Sequence, residues 1–456
     1  MKLIFIMSDT FRRDHIGAYG NKRIHTPNLD RLAAMSYVFD HCYVGSFPTL
    51  PNRRDIHLGV AHKGERFNKW RGIEDDEVTL AQRLREKRIH SMMINDTANS
   101  VTNGKNFFKG FSCYEAIRGQ EGDNMWSDLS VPLEFPVPPH LIRYNAERWH
   151  QVLVNRSRRR VEDDYFAPGT FKRACEWLER NRARDSFLLW VETFDPHEPW
   201  DPPQHYIDLY DPGYTGRVFE SPTYGLYRKM GITDREVRHI HARYCGECTM
   251  VDTAVGRLMR TLETLNLIDD VAIIFTSDHG THMGLEGDDG RICKPHRWGA
   301  DGMVMPAGRP IKQPVEDRPM LTGTMRIPLF IHLPKQSRPK RFSQIVQPWD
   351  LTPTVLEMAG LKPPPEFIGQ SLMPLIRSGR MKPRPFAFNG ADGPLRQAMN
   401  KDYIYAWWGN GGRAPWLVDL RNDRSQSRNL AGKHPEVCAA MHKALSAFDP
   451  LVPPKP

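Results

Sequence analysis

The chain has 456 residues, of which 40% are hydrophobic and 26% charged, and its formal net charge is +9. This balance predicts one large packed domain with a smaller appendage and excludes wholesale disorder. No apolar run approaches the roughly 18 residues of a membrane helix, so we expect a soluble cytoplasmic protein without a membrane partner. The apolar residues 1–7 predict a first strand and not a signal peptide, because neither a cleavage site nor a spacer follows them.

Short apolar, β-rich runs recur along the chain between helical patterns. In chain order they are residues 2–7, 91–95, 187–191, 271–276 and 328–332. Their nearly continuous apolar character is typical of central strands that are covered on both faces. Apolar residues between 251 and 265 have the spacing of one helical face. Alternating strands and helices predict an α/β fold with a doubly wound, mixed but mostly parallel sheet flanked by helices.

Two segments break this alternation and are interpreted as insertions. Residues 118–170 are rich in Pro and Arg and predict an inserted arm or a long loop, and residues 285–320 predict a second insertion. The basic residues between 143 and 160 indicate a solvated face or a contact between subunits, which makes a homo-oligomer an expectation. Attraction of anionic substrates is the alternative. No nucleic-acid reading motif accompanies the charge, so no nucleic-acid partner is expected.

The end of the chain has a different pattern. Residues 403–408 and 416–420 predict short strands, and residues 435–448 predict a helix. We therefore expect a catalytic domain over residues 1–384 and a small α+β subdomain over residues 385–456.

Cysteine usage does not indicate a disulfide framework, since seven cysteines are scattered over a long chain. Cys245 and Cys248 form a CxxC pair without a second pair at zinc-finger spacing. We interpret them as buried or incidental thiols and not as a metal or redox site.

Polar residues follow three of the predicted strands directly. Asp9 follows the first strand, Asp195 and His197 follow the third, and Asp278 with His279 follow the fourth. In doubly wound sheets, ligands gather outside the carboxyl ends of the strands. Carboxylates and imidazoles that meet at one edge predict a metal and anion site.

Thr49 is the candidate nucleophile. Pro51 favours a helix that starts at Thr49, and a helix N-terminus favours a bound anion. A hydroxyl beside a metal ion can ionise and attack phosphorus or sulfur, with Arg53 one turn along stabilising an oxygen. Taken alone, this pattern is more typical of a helix-capping Thr and a surface Arg.

The segment resembles the sulfatase signature Cys-x-Pro-Ser-Arg with a Gly ten residues after the Cys. This chain has Thr49, Pro51, Arg53 and Gly59 at those positions, with Asn52 in place of the Ser. Other segments resemble further marks of the family in order: Asp9-Thr10 with the residues up to Gly20, residues 26–33 (Thr-Pro-Asn-Leu-Asp-Arg-Leu-Ala), 195–200 (Asp-Pro-His-Glu-Pro-Trp), 277–280 (Ser-Asp-His-Gly), 350–355 and 417–430. The chain thus resembles the sulfatase-like branch of the alkaline phosphatase superfamily.

The Thr at position 49 is the main departure from that family. Sulfatases convert a Cys or Ser to formylglycine, and Thr cannot be converted by that route, so no formylglycine is expected. In the superfamily, Thr nucleophiles belong to phosphoester and phosphonate hydrolases. The resemblance therefore implies a metal-dependent hydrolase of phosphate or phosphonate esters, with phosphodiesters or phosphonate monoesters favoured and a small anionic ester as substrate. A sulfatase and an inactive binding protein on the same scaffold are the alternatives.

A competing register places Ser46 in the nucleophile position. Leu50 then stands where Arg is needed and Ile56 where Gly is needed, and Cys42 has no Pro two residues on. Thr49 is therefore favoured over Ser46.

The resemblance implies one divalent metal ion. Its ligands would be Asp9, Thr10, Thr49, Asp278 and His279, where Thr10 replaces the usual second carboxylate. Oxygen ligands with one imidazole favour Mn²⁺ or Zn²⁺, with Ca²⁺ or Mg²⁺ as alternatives.

The resemblance also implies groups that bind the substrate. His197 matches a family His that protonates the leaving group, a role suited to imidazole, and Asp195 is expected to orient it. Lys294 is the choice for the Lys that binds a non-bridging oxygen, with Arg291 or His296 as alternatives.

Further residues are candidates for lining the site. Asn95 and Thr97 follow the predicted second strand. Trp70, Trp126 and Trp200 are candidates for an apolar or sugar-stacking wall, with ordinary packing as the alternative.

Overall fold

The computed structural model describes residues 1–61, 70–101, 104–294, 318–336, 338–390, 394–409 and 413–454. The strands are β1 Lys2–Ser8, β2 Tyr37–Tyr43, β3 His90–Asn95, β4 Cys113–Ala116, β5 Phe187–Thr193, β6 Gly225–Leu226, β7 Val271–Ser277, β8 His282–Met283, β9 Arg291–Cys293, β10 Arg326–Ile327, β11 Leu329–His332, β12 Lys340–Val346, β13 Ala387–Gly390, β14 Leu395–Met399, β15 Tyr403–Trp408 and β16 Trp416–Asp419. The helices are α1 Pro27–Ala34, α2 Thr49–Leu58, α3 Leu80–Glu86, α4 Ala98–Val101, α5 Ala146–Arg156, α6 Phe166–Asn181, α7 Gln204–Asp208, α8 Asp234–Thr264, α9 Thr322–Met325, α10 Leu351–Met358, α11 Met373–Ser378 and α12 Pro435–Phe448.

The central sheet has the order β10-β2-β11-β7-β1-β5-β3-β4, and β12 also pairs with β2. Strands β7, β1, β5, β3 and β4 are parallel to one another. The register places Ser8 opposite both Thr193 and Ser277. The residues that follow β1, β5 and β7 therefore leave the sheet at one level, which confirms the mostly parallel sheet and the shared edge predicted from the sequence.

Strand β2 brings a further segment to this edge. It pairs antiparallel with β11, which itself pairs antiparallel with β7. β2 therefore runs in the direction of β1, and its carboxyl end leads to α2 at the same edge as the ends of β1 and β7. Only strand pairing over long sequence distances reveals this direction.

Both faces of the sheet are covered. Alternate residues of β1 enter two apolar clusters: Ile4 and Ile6 pack with helices α1, α6 and α8, and Leu3 and Phe5 pack with helices α3 and α10. All these side chains are at most 1% exposed. Burial on both faces explains why the central strands are continuously apolar in sequence.

Helix α8 is longer than the sequence pattern predicted. It starts after Thr233, whose side chain accepts a hydrogen bond from the Glu236 amide while the Glu236 side chain accepts one from the Thr233 amide. This capping box satisfies two amides that the helix leaves unpaired. The apolar pattern of α8 starts only at residue 251 because the buried face of the first half carries polar residues, among them Glu247 and Arg243.

The first insertion is not a long loop. Residues 118–170 contain α5 and the start of α6, and Trp149 on α5 is completely buried. The basic residues of this arm form ion pairs with carboxylates of the same chain: Arg143 and Arg148 with Glu121, Arg156 with Glu220, and Arg159 with Asp201. Much of the basic segment is thus neutralised within the chain, and a homo-oligomer stays a prediction.

Strand β9 of the second insertion joins β6 and β8, which lie outside it, in a small sheet. Residues 295–317 of this insertion lie outside the described residues. Near the chain end, β13 to β16 form an antiparallel sheet on which α12 packs, which confirms the α+β subdomain. The domain boundary at residue 385 stays a prediction.

In the described ranges, no helix combines the length and the apolar character that crossing a bilayer requires. The cytoplasmic location stays a prediction.

Candidate active site and metal centre

The ends of β1 and β7 place two carboxylates and an imidazole together. The ligand atoms of Asp9, Asp278 and His279 lie within 4.8 Å of one another, and all three side chains are fully buried. The Nδ1 of His279 bonds to the carbonyl of Gly280 at 2.7 Å, which turns Nε2 towards the carboxylates. This Nε2 lies 3.5 Å from Asp278 Oδ2 and 4.0 Å from Asp9 Oδ1.

Thr49 lies against this cluster. Helix α2 starts at Thr49, as the sequence predicted, and the Thr49 Oγ1 lies 3.3 Å from His279 Nε2. The side chain is almost fully buried. The hydroxyl therefore stands where the free N–H groups of a helix N-terminus meet the metal-ligand cluster.

Arg53 lies beneath the carboxylates. Its guanidinium donates to Glu192 Oε1 at 2.6 Å, to Asp278 Oδ2 at 2.6 Å and to Asp9 Oδ2 at 2.9 Å. A further bond at 3.0 Å reaches the carbonyl of Thr49. From the sequence, Arg53 was expected to stabilise an oxygen of the alkoxide or the ester, whereas its contacts hold the carboxylates and the first turn of α2.

Glu192 is a site residue that the sequence analysis missed. It lies within β5, not after it, and its side chain is completely buried. An acidic residue inside a run of apolar strand residues was the available signal, because a charge is buried only with a partner.

The charges and the unpaired oxygens of the site fit a divalent cation. Arg53 is the shared ion-pair partner of three buried carboxylates. Among the described residues, Asp9 Oδ1, Thr10 Oγ1 and Asn52 Oδ1 are buried and have no hydrogen-bond partner. Such oxygens are costly unless a further positive group meets them. Oxygen donors with one imidazole suit a divalent ion.

The pKa values of the carboxylates reflect this crowding. Burial, followed by repulsion from Asp278, raises the pKa of Asp9 well above its ordinary value. Burial also acts to raise the pKa of Asp278, but the charges of His279 and Arg53 outweigh it and lower that pKa to about 2. The two carboxylates therefore repel each other, and a cation between them would relieve the repulsion.

Thr10 belongs to the same cluster through its backbone. Its φ of 57° lies in the left-handed region, which is uncommon for Thr. The Thr10 amide donates to Asp278 Oδ1 at 3.0 Å, and its carbonyl accepts a bond from the Tyr244 hydroxyl at 2.8 Å. The side-chain hydroxyl is thus a neutral oxygen donor at the position where the family pattern has a carboxylate.

Lys294 and His197 form a buried pair. The Lys294 ammonium donates to His197 Nε2 at 2.7 Å, and His197 Nδ1 donates to the carbonyl of Glu198 at 2.6 Å. Burial and then the Lys294 charge hold the pKa of His197 well below its usual range. Burial lowers the pKa of His279 to about 3 against the charge of Asp278, and the Lys294 charge acts in the same direction as burial.

The alternatives to Lys294 differ in their surroundings. Arg291 lies 3.8 Å from Asp289 and donates to the carbonyl of Pro319. His296 lies outside the described residues.

The carboxylate of Asp195, expected to orient His197, has other hydrogen-bond partners among the described residues. It accepts bonds from Gln120 Nε2 at 3.2 Å and from the Ala167 amide at 2.9 Å. Burial raises the pKa of Asp195 to about 6. Asp195 therefore connects the inserted arm to the end of β5. The ring of His197 bonds instead to the main-chain carbonyl of Glu198.

Asn95 and Thr97 form a turn after β3. Asn95 Oδ1 accepts from the Thr97 amide, and Asn95 Nδ2 donates to Ser100 Oγ at 2.7 Å. The register places Asn95 opposite Glu192. A substrate contact of Asn95 or Thr97 stays a prediction.

The competing nucleophiles have other partners. The Ser46 hydroxyl donates to Asp55 Oδ1 at 3.1 Å, and Cys42 lies within β2. Thr49, and not Ser46, therefore faces His279.

The three Trp residues do not form a common wall. Trp200 is buried in the main apolar cluster, Trp70 packs against a separate small cluster, and Trp126 is half exposed beneath the guanidinium of Arg158.

The chain is similar in sequence to sulfatases and in structure to a phosphonate monoester hydrolase. The family model described as Sulfatase matches residues 2–361. The arylsulfatase of Clostridium perfringens is 24% identical over 468 residues, which cover 94% of this chain and 89% of that protein. The phosphonate monoester hydrolase of Agrobacterium radiobacter has a similar structure, with a TM-score of 0.72, 19% identity and coverage of 98% of this chain and 95% of that one.

A second solved structure is equally similar. It is a protein in complex with its substrate D-glucosamine-2-N,6-O-disulfate, with a TM-score of 0.71, 17% identity and coverage of 99% and 98% of the two chains. At these identities the structural likeness establishes the fold alone.

Proposed function

This chain belongs to the sulfatase family, and we propose that it is a metal-dependent hydrolase of phosphate or phosphonate esters with Thr49 as its nucleophile. Phosphodiesters and phosphonate monoesters are the favoured substrates, because they carry less negative charge than phosphate monoesters. Lys294 is the cationic side chain paired with His197 beside the carboxylate cluster, while Arg53 is engaged by carboxylates.

The contact between Thr49 and His279 carries this proposal. The hydroxyl lies 3.3 Å from His279 Nε2 at the start of α2, next to the carboxylates of Asp9 and Asp278. A Thr side chain cannot be converted to formylglycine by the route open to Cys and Ser. Attack by the unmodified hydroxyl leaves an ester that water must cleave at the central atom, which suits phosphorus chemistry.

The proposed reaction uses four side chains and the N-terminal amides of α2. Thr49 Oγ1 attacks phosphorus in line while its proton passes to solvent, and the N-terminal amides of α2 favour the anionic ester. Lys294 binds a non-bridging oxygen, and the Lys294–His197 pair supplies the proton that the departing oxygen takes. Water then cleaves the Thr49 ester and restores the hydroxyl. Arg53 is a positioning residue that holds the carboxylates and the Thr49 carbonyl.

Asp9, Thr10, Thr49, Asp278 and His279 are the residues that would hold one divalent ion, with Mn²⁺ or Zn²⁺ favoured. When bound, the ion supplies positive charge that lowers the pKa of the Thr49 hydroxyl and stabilises the negative oxygens of the transition state.

A sulfatase is the second candidate. The names of the curated relatives favour it, since the 24% identical protein of Clostridium perfringens is named an arylsulfatase. Sulfate esters have a similar tetrahedral shape and could occupy the same site. The two candidates differ in the central atom that Thr49 attacks.

A parallel assay of four p-nitrophenyl esters tests the proposal. We expect the metal-reconstituted protein to hydrolyse the phosphodiester and the phenylphosphonate at least about tenfold faster, in kcat/KM, than the sulfate, a difference of roughly 1.4 kcal/mol. The phosphate monoester is expected between them. The fastest turnover on the sulfate ester would establish the sulfatase candidate instead. Inactivity on all four esters with every divalent ion would favour the inactive binding protein.

The role of the Lys294–His197 pair can be tested with His197→Ala. A poor leaving group needs a proton and nitrophenolate does not. We therefore expect kcat/KM to fall by roughly 10²- to 10⁴-fold on alkyl esters and far less on nitrophenyl esters. His332→Gln is a matched control, because His332 is buried and its bonds within the described residues go to the main-chain carbonyls of Met35 and Ile268. An equal loss on both ester types would show that His197 only holds Lys294.

A further inference from the structure

A second group of metal-binding side chains lies apart from the catalytic cluster. The ligand atoms of His15, His241 and Cys245 lie within 4.8 Å of one another. The Nε2 atoms of His15 and His241 are 2.7 Å apart, and Cys245 Sγ lies 3.3 Å from His241 Nε2. The Nε2 atoms of the two imidazoles thus face each other, and that of His241 lies beside the thiol.

The positions of these three residues in helix α8 and in the turn after β1 bring their side chains together. His241 and Cys245 are four residues apart on α8, so they project from one face of the helix. His15 comes from the short 3₁₀ turn Arg13–His15 that follows β1. The two imidazole rings meet edge to face, with their planes at 89°. His15 and Cys245 are buried and His241 is partly exposed, so the group is open to solvent on one side.

A carboxylate fixes the orientation of His15. His15 Nδ1 lies 2.7 Å from Asp14 Oδ1, and Asp14 is held in turn by Arg12 at 2.6 Å. A proton on Nδ1 leaves the lone pair of His15 on Nε2, which faces the other two ligands. Metal-bound histidines commonly bond to a carboxylate through the opposite ring nitrogen in this way.

We propose that His15, His241 and Cys245 bind a divalent transition-metal ion of the Zn²⁺ class, with a water molecule in the fourth position. Two imidazoles and a thiolate are ligands that Zn²⁺ prefers, whereas the catalytic cluster offers mainly oxygen. The imidazoles bind through their Nε2 lone pairs, for which His241 moves its proton from Nε2 to Nδ1, and the Cys245 thiol gives its proton to solvent as the metal–sulfur bond forms. The ion therefore enters with release of one proton and no redox change.

The protonation of the free ligands is compatible with this site. Burial lowers the pKa of His241 to about 3 and raises the pKa of the Cys245 thiol. His241 is therefore neutral and able to bind a metal at neutral pH, while the thiol ionises only when a cation replaces its proton.

The ion would link helix α8 to the segment that follows β1 and carries Asp9 and Thr10. Tyr244, next to Cys245, donates to the Thr10 carbonyl at 2.8 Å and accepts from the Arg12 amide at 2.9 Å. His15 lies on the same segment, a few residues after Asp9. The ion would thus join two segments of the fold and is distinct from the ion that Asp9 and Asp278 would hold.

Co²⁺ loading of the full-length protein tests the site, because a thiolate ligand gives a sulfur-to-cobalt charge-transfer band in the near ultraviolet. We expect the wild type to show this band and to bind about two ions per chain, one in each site. Cys245→Ala should lose the band and one equivalent of metal. Cys248→Ala is the matched control, since Cys248 is buried on the same helix and is not part of the group.

Two further variants make the result unambiguous. His241→Gln, at the partly exposed position, should weaken Co²⁺ binding at this site by at least about tenfold even if Cys245→Ala fails to fold. Asp278→Asn should keep the band, because it alters only the catalytic cluster. Absence of the band in fully loaded wild type, or an unchanged band in Cys245→Ala, would overturn the proposal.

Discussion

Thr49→Ala is expected to lower kcat by at least about 10³-fold on every ester that the wild type hydrolyses, because removal of a nucleophile leaves only binding and electrostatic stabilisation. The substitution removes a hydroxyl from the first turn of α2 and leaves Arg53 and its carboxylates in place. The free energy of unfolding should change little, since among the described residues the lost hydroxyl bonds to His279 alone. Steady-state kinetics and thermal unfolding of the same preparations measure both effects.

Thr49→Ser and Ser46→Ala are the controls. Thr49→Ser keeps a hydroxyl at the same place and should retain much of the activity. Ser46→Ala should retain kcat, although it loses a bond to Asp55. Acid quenching during turnover should trap a phosphoryl group that mass spectrometry assigns to Thr49. A Ser46→Ala protein without activity, or an adduct on Ser46, would move the nucleophile to the competing register.

Arg53→Met is expected to lower the free energy of unfolding by about 3–5 kcal/mol in the presence of a chelator, because it leaves buried carboxylates without their shared cation. Glu192, Asp278 and Asp9 each bond to this guanidinium, and all four side chains are fully buried. Methionine fills a similar volume, so the loss is electrostatic and not a cavity effect. Chemical denaturation at neutral pH measures it.

Two additions separate this explanation from a general packing defect. A second substitution, Glu192→Gln, removes one of the uncompensated charges and should recover part of the lost stability. A divalent ion supplies positive charge beside Asp9 and Asp278, so it should stabilise Arg53→Met more than the wild type. If neither addition restored stability, the three carboxylates would not depend on Arg53 as a group.

Much of the fold was determined by local sequence pattern. Burial on both faces makes the central strands continuously apolar, so their positions were predicted within one or two residues, and residues 403–408 and 435–448 match β15 and α12. The start of α2 at Thr49 followed from Pro51, because proline fits the first turn of a helix. The meeting of Asp9, Asp278 and His279 followed from the general geometry of parallel strands.

The partners of the site residues were decided only by tertiary structure. Glu192 meets Arg53 over 139 positions of sequence, and Asp195 binds Gln120 and Ala167 of the inserted arm, not His197. His15 meets His241 across 226 positions, so the sequence did not show that His15 lies beside the CxxC pair of α8. Local propensity reports on a few neighbouring residues. Contacts between distant segments depend instead on strand order, helix direction and the packing of whole elements.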